Sequence, residues 1–243
     1  RDVKDRTATV QFKVTDISKF KDEHLKGDVY FLAWTTTPWT LPSNTALAVG
    51  KDIEYVFVES FNPFSGHPQT VILAKDLLNK YFSEKHTDLK FEDYKVGDKN
   101  IPFKIVGHAK GSELAGISYE QLLPFTQPTD GDAFKVIVGD FVTTTDGTGI
   151  VHIAPSFGAD DFRVAKQNEI GSLTLVDKRG RFLPEIQDGT FLYGEEYVKE
   201  SYHTDAEKQA EFEKQKQILE ASGKIKELKG YLSVDERIVL KLQ

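Results

Sequence analysis

The residues best suited to chemistry stand in two short stretches about a hundred positions apart. The first is Trp34-Thr35-Thr36-Thr37-Pro38-Trp39-Thr40-Leu41-Pro42-Ser43-Asn44. Three adjacent hydroxyls follow an apolar run, and Pro38 stops any regular ladder behind them. Proline has no N–H and pushes the preceding Thr37 toward extended geometry. The hydroxyls and amides of Thr35, Thr36 and Thr37 are thereby held off a sheet, free to bind something else. A lone Thr-Pro would be an ordinary strand end; two tryptophans, two prolines and an Asn crowded around it are more than a turn needs. The second stretch is Asp146-Gly147-Thr148-Gly149-Ile150-Val151-His152-Ile153-Ala154-Pro155-Ser156-Phe157-Gly158-Ala159-Asp160-Asp161-Phe162. Gly147 and Gly149 allow close backbone approach, His152 falls in a strand, and Asp160 and Asp161 open a helix. Taken singly, each has an everyday role. Gly-Thr-Gly occurs in many hairpins, and a His in a strand is usually a satisfied, half-buried residue. Paired Asp residues at a helix start stabilise its unpaired amides. Large aromatics such as Trp34 and Trp39 are most often packing anchors, and Asn44 suits an Asx turn.

Together the two stretches resemble the signature peptides of the editing domain inserted in isoleucyl-tRNA synthetases. In that family the first peptide reads Trp-Thr-Thr-Thr-Pro-Trp-Thr-Leu-Pro followed shortly by Asn. The second reads Gly-Thr-Gly, His after two further residues, Ala-Pro, then Gly-x-Asp-Asp. Both are matched position for position. The valyl and leucyl relatives carry Thr-Arg-Pro where this chain has Thr36-Thr37-Pro38, and the valyl one usually has Lys at the place of His152. The segment 111–125, with Leu114-Ala115-Gly116 and Tyr119, also resembles the family.

The resemblance implies hydrolysis of an aminoacyl ester on tRNA. Such esters are already activated, so their hydrolysis needs positioning and modest stabilisation more than a strong nucleophile. By resemblance, Asp161 holds the free α-ammonium of the substrate, a pairing in which charge-assisted hydrogen bonds are strong. Thr36 and Thr37 place the attacking water and bind the ester and terminal ribose, with Thr35 as a further member. His152 is a wall of the amino-acid pocket that admits Val and refuses Ile, and is no general base. Gly149, Trp39 and Asn44 border the substrate. Asp160 is the alternative reader of the ammonium, with helix stabilisation as its simpler role. No cofactor and no metal are implied. The implied partners are the aminoacylated 3′ end of isoleucine tRNA and the rest of a synthetase polypeptide, with no membrane, a cytoplasmic location and a monomeric fragment. A second pocket is useful because one methylene alters binding by only about 1–3 kcal/mol, a limit that isoleucyl-tRNA synthetases themselves are used to illustrate.

These residues need a scaffold, and periodicity predicts one. Strands are expected at 7–14, 29–34, 45–49, 54–59, 70–74, 103–109, 133–138, 141–145 and 149–153, with a short one at 90–96. Helices are expected at 75–82, at 160–168 with Gly171 past its end, at 206–222 with a solvent-facing side, and at 233–243. A hairpin is expected to join 173–176 and 181–183 around Lys178-Arg179-Gly180. Many short strands without βαβ spacing predict a β-rich (α+β) fold: a closed, barrel-like sheet with short peripheral helices and a helical tail. The resemblance implies the same fold. Residues 1–203 form the expected editing domain, and 204–243 the tail, leading back toward a catalytic domain.

Composition sets limits. A chain of 243 residues with 39% apolar, 28% charged and 12% aromatic residues is a globular protein with enough length for a real core. It has no Cys, hence no disulfide or thiolate chemistry, and no Met. Histidines 24, 67, 86, 108 and 203 show no metal-ligand spacing. The net charge of −7 argues against a stand-alone RNA-binding module, which would normally be basic. The start, Arg1-Asp2-Val3-Lys4, reads as that of an excised fragment. No nucleotide-binding strand–Gly loop–helix unit, His-x-Gly-His or Lys-Met-Ser-Lys-Ser occurs, so amino-acid activation is not expected. Three rivals are a valyl-type domain clearing Thr, a silent domain that docks the tRNA end, and a plain structural β-domain. Thr37 and His152 speak against the first, the intact threonines with Asp161 against the second, and the pairing of both signatures against the third.

Overall fold

The computed structural model describes residues 7–20, 25 and 27–243. The Arg1-Asp2-Val3-Lys4 start and His24 lie outside the described residues.

Strand β2 (Asp28–Thr35) is the strand from which the sheet spreads. Its aromatic and β-branched residues suit a strand with both faces covered. Along one edge it pairs antiparallel with β1 (Ala8–Lys13), from Ala8 opposite Thr35 to Lys13 opposite Tyr30. The other edge is shared. Strand β5 (Pro68–Ala74) runs parallel to its first half, and β8 (Ile150–Ile153) meets its end, with Trp34 opposite Val151. The sheet divides there into two arms. One runs from β5 through β4 (Glu54–Phe61) to β6 (Lys104–Lys110). The other runs from β8 through β3 (Ala46–Val49) to β7 (Lys135–Val138).

The regular ladders make a curled half-barrel, and an extended strap completes the ring on the β7 side. Gly116 N–H donates to Val136 O at 2.8 Å and Val136 N–H to Ile117 O at 2.8 Å. On its other side the strap accepts from Thr15 N–H at Ser118 O and donates from Glu120 N–H to Lys13 O, at 3.1 and 2.7 Å. The circuit β2–β8–β3–β7–strap–β1 is thereby closed, and the expected β-rich, barrel-like class holds. Phe12, Phe31, Leu47, Tyr119 and Val136 belong to the main core. Tyr119 meets Phe12 edge-on, with centroids 5.3 Å apart. The opposite faces are covered as well. Leu32, Val56, Val71 and Phe103 pack beneath α1 (Leu78–Tyr81), while Ala46, Ile137 and Ile153 pack against α3 (Ala159–Gln167). The one-turn helix α2 (Gly111–Leu114) leads from β6 into the strap.

The chain after 204 packs back onto the body. Helices α4 (Asp205–Ala221) and α5 (Val234–Leu242) each begin with a capping box, Thr204 with Glu207 and Ser233 with Glu236. Val234 and Ile238 enter the main core, and Leu219 packs with Phe191 and Leu232. Arg237, 1% exposed, forms a buried ion pair with Glu196 and donates to Leu232 O at 3.3 Å. Helix α4 buries Gln215 and Leu219; the Gln215 amide bonds both the N–H and the carbonyl of Leu232 at 2.9 Å.

Some local expectations are corrected. Residues 90–96 form no strand: a 3-10 turn (Phe91–Asp93) lets Tyr94 stack on Phe61 at 4.3 Å, so ring packing wins over strand propensity. Residues 141–145 form a turn-rich loop rather than a strand, because the chain leaves the sheet after β7 to line a cavity. The 75–82 helix is a 3-10 turn (Lys75–Leu77) followed by a single α-turn. The hairpin around Lys178 is held by the bridge of Val176 to Phe182 and by the Asp177 carboxylate, which accepts the N–H groups of Arg179 and Arg181. Helix α3 ends at Gln167 with Asn168 as its C-cap, and the left-handed Glu169 at φ 56° turns the chain before Gly171 is reached.

Candidate functional site

The threonine loop is built at the end of β2. Thr37 N–H turns back to donate to Thr35 Oγ1 at 3.0 Å, which leaves Thr36 and Thr37 exposed. Pro38 then opens a 3-10 turn (Pro38–Ser43), a position where its missing N–H costs nothing. Thr40 closes the loop: its N–H and its hydroxyl both donate to Thr37 O, at 3.0 and 2.9 Å.

The antiparallel register of β3 and β8 puts His152 opposite Leu47, directly behind this loop. Asn44, buried at the end of the turn, donates through Nδ2 to Ala46 O at 2.9 Å and to His152 Nδ1 at 3.1 Å. Its Oδ1 accepts from the Tyr119 hydroxyl at 2.6 Å. Reversing the amide would set Oδ1 against the Ala46 carbonyl, so the network fixes its orientation. His152 Nδ1 is therefore an acceptor, and its proton lies on Nε2, which donates to Thr40 Oγ1 at 2.7 Å. Burial pushes the imidazole down to about 4, so it is neutral at physiological pH. Both ring nitrogens are committed. The ring is a fixed wall, with no free nitrogen to act as a base.

The facing wall comes from the turn between β8 and α3. Asp161, in the first turn of α3, accepts Ala154 N–H through Oδ2 at 2.9 Å. Burial raises its carboxyl above the usual range, and neighbouring Asp160 adds to that. Among the described residues no Lys, Arg or His side chain pairs with Asp161. A third wall is the 143–149 loop, which needs Gly149: at φ 74° a Cβ there would lie 2.4 Å from that of Ala74. Between the three walls lies a cavity of about 440 Å³.

Thr35, Thr36, Thr37, Trp39, Gly149, His152 and Asp161 all line this one cavity, although the sequence separates them by as much as 126 positions (161 − 35). Two expected members do not. Asp160 is exposed and pairs with Arg163 Nη2 at 3.2 Å, which also holds Asp140. Successive residues on a helix point about 100° apart, so only one of the two Asp side chains can face the hollow. Asn44 sits behind His152 and acts on the cavity through that ring. Sequence reading passed over Thr40, whose hydroxyl connects His152 to the loop, and Phe157, which meets Trp39 edge-on at 5.0 Å. Thr40 stands within the signature and could have been found there; nothing in the pattern marks Phe157.

A cavity that sets loop hydroxyls and a cation-free carboxylate across from a neutral imidazole can bind a small ammonium-bearing group and place water beside it. Against known proteins, the chain is 56% identical to an isoleucine–tRNA ligase of Cytophaga hutchinsonii over its whole length, and 53% identical to one of Bacteroides fragilis over 86% of it. It spans only 21% and 18% of those relatives' own lengths. It overlays on the P. falciparum cytosolic leucyl-tRNA synthetase editing domain with a TM-score of 0.50 at 12% identity, covering 99% of this chain and 87% of that one. The chain belongs to the isoleucine–tRNA ligase family. The P. knowlesi leucyl editing domain also overlays with a TM-score of 0.50, over 66% of the chain at 17% identity. At such identities the leucyl domains speak for the fold, and the isoleucine–tRNA ligases for the family. No family model matches the chain.

Proposed function

We propose that this chain is an editing domain that hydrolyses the ester of valine wrongly attached to isoleucine tRNA, and accepts valyl-adenylate by the same recognition. The observation that carries the reading is the Asp161 carboxylate. It is partly buried, has no basic partner among the described residues, and lines the same cavity as the threonine loop. A carboxylate so placed is the counterpart of a free α-ammonium. With the ammonium held there, the ester points toward Thr36 and Thr37. Their hydroxyls orient a water for attack on the carbonyl carbon. The ribose oxygen departs with a proton, leaving free valine and tRNA. Catalysis of this kind relies on placement and on stabilising the oxyanion. The neutral His152 ring, locked between Asn44 and Thr40, acts by bulk: the extra methylene of isoleucine meets a wall that cannot yield. The 3′ end of the tRNA and the remainder of a longer synthetase are the partners this reading requires, with aminoacylation carried out elsewhere.

The test supplies isoleucine tRNA charged with Val or with Ile, and valine tRNA charged with Thr, and follows loss of each ester. Clearance of the Val ester alone is expected, slowed by about a hundredfold or more in Asp161→Ala. Equal clearance of the Ile ester would defeat the role of His152, and an unaffected Asp161→Ala would defeat that of the carboxylate.

A further inference from the structure

The threonine loop has a support that comes from the far end of the chain. The 3-10 turn begins with Pro38, so its first available N–H is that of Trp39, and the Thr37 side chain makes no cap to it. An uncapped amide at a helix start is an unsatisfied donor. Asp235 satisfies it: Oδ1 accepts Trp39 N–H at 2.7 Å across 196 positions of sequence. Asp235 is the second residue of α5, where the helix N-terminus favours a carboxylate. The neighbouring Glu236 is occupied in the capping box with Ser233, which leaves Asp235 to reach outward. Helix α5 is itself firmly seated. Ile238 is wholly buried, Arg237 is ion-paired to Glu196, and Lys241 meets Asp188 at 2.7 Å. Trp39 lines the cavity, and it follows Thr37 with only Pro38 between them.

We infer that Asp235 is a positioning residue of the hydrolytic site, fixing the Thr37–Trp39 backbone from outside so that the Thr36 and Thr37 groups hold their place against the ester. This rests on the hydrolytic reading above. It adds that the site is incomplete without α5, since a shift of about 1 Å in a placed group can cost on the order of a hundredfold in rate.

The experiment compares the 243-residue chain with Asp235→Ala, Asp235→Asn and Asp235→Glu. It follows steady-state clearance of the Val ester, amide exchange at Trp39 and Thr40, and binding of a non-hydrolysable valyl-adenosine mimic. In Asp235→Ala the expected result is a fall in kcat of about tenfold or more with KM within about twofold, and faster exchange at Trp39. Asp235→Asn, which keeps an acceptor oxygen in place, is expected to stay within about threefold of the parent, a rescue that depends on the bond and not on charge. Should Asp235→Ala fail to fold, Asp235→Glu carries the test, because it keeps the charge but moves the acceptor by one methylene. Its expected result is an intermediate loss of kcat with faster Trp39 exchange. Unchanged kcat in a folded Ala or Glu variant would overturn the inference, as would an Asn variant as slow as the Ala one. If the parent clears no ester, the hydrolytic reading is what fails. Exchange at Trp39 and affinity for the mimic would then still decide whether Asp235 organises the loop, and unchanged values for both would refute it.

Discussion

His152 illustrates how much a single side chain takes from its surroundings. Its two nitrogens are held by Asn44 and Thr40, and its burial brings it from 6.5 down to about 4. The native state therefore binds fewer protons than the unfolded chain between those values. Its contribution to stability is complete above about pH 6.5 and is lost as pH falls through about 4, a total of about 3 kcal/mol. Urea unfolding at pH 7 and pH 4 should show this loss in the parent. His152→Gln, which can still donate to Thr40 but cannot titrate, should lose about 2–3 kcal/mol less over the same interval. Equal acid sensitivity in the two would mean that His152 is not the group responsible. Asp161 shows the complementary case: burial raises its carboxyl, a cost the fold carries because the uncompensated charge is useful to the proposed reaction.

Among the elements, α5 is the one whose role differs most from its sequence reading. Expected as the end of a helical tail, it joins the main core through Val234 and Ile238 and touches the threonine loop through Asp235. Its seat depends on the Arg237–Glu196 pair, with both side chains at most 5% exposed. Removing one partner of such a pair leaves a buried charge unmatched. Arg237→Ala is expected to destabilise the chain by about 3–5 kcal/mol, measured by urea denaturation, while replacing both partners with apolar residues of similar volume should cost much less. A loss under about 1 kcal/mol would show that α5 is held mainly by its apolar contacts. The strap at 116–120 is the other element that matters. It closes the sheet and also delivers Tyr119 to Asn44, so barrel closure and the orientation of His152 depend on one segment.

At the scale of the whole molecule, 38 acidic residues against 31 basic ones make a poor surface for a nucleic-acid backbone. In the proposed reading the substrate is accordingly gripped at its aminoacyl end rather than along its phosphates. Tight tRNA binding by this chain alone is not expected. What binding there is should weaken only gently with salt, with a slope corresponding to about two phosphate contacts or fewer. A filter-binding titration from low to moderate salt measures it; a slope matching six or more phosphates would reveal a basic track that the net charge conceals.

The strands and helices with strong periodicity and the β-rich class were legible in the residue pattern, and the cavity-lining threonines, His152 and Asp161 were legible through the resemblance of two signature peptides. Those features are local: alternation, a Pro after a strand, an acidic first turn, a signature of fixed spacing. The choice of Asp161 over Asp160 came from the resemblance alone, because no local pattern says how α3 is rotated against the sheet. The loss of the 141–145 strand was not legible, since the same threonines can pair in a ladder or line a hollow. The Asp235 contact and the closing strap join positions distant in the chain, and no local pattern encodes which of many acceptors an orphan amide will meet. Tertiary structure decided these points because burial and hydrogen-bond completion are settled only when all the elements share one core.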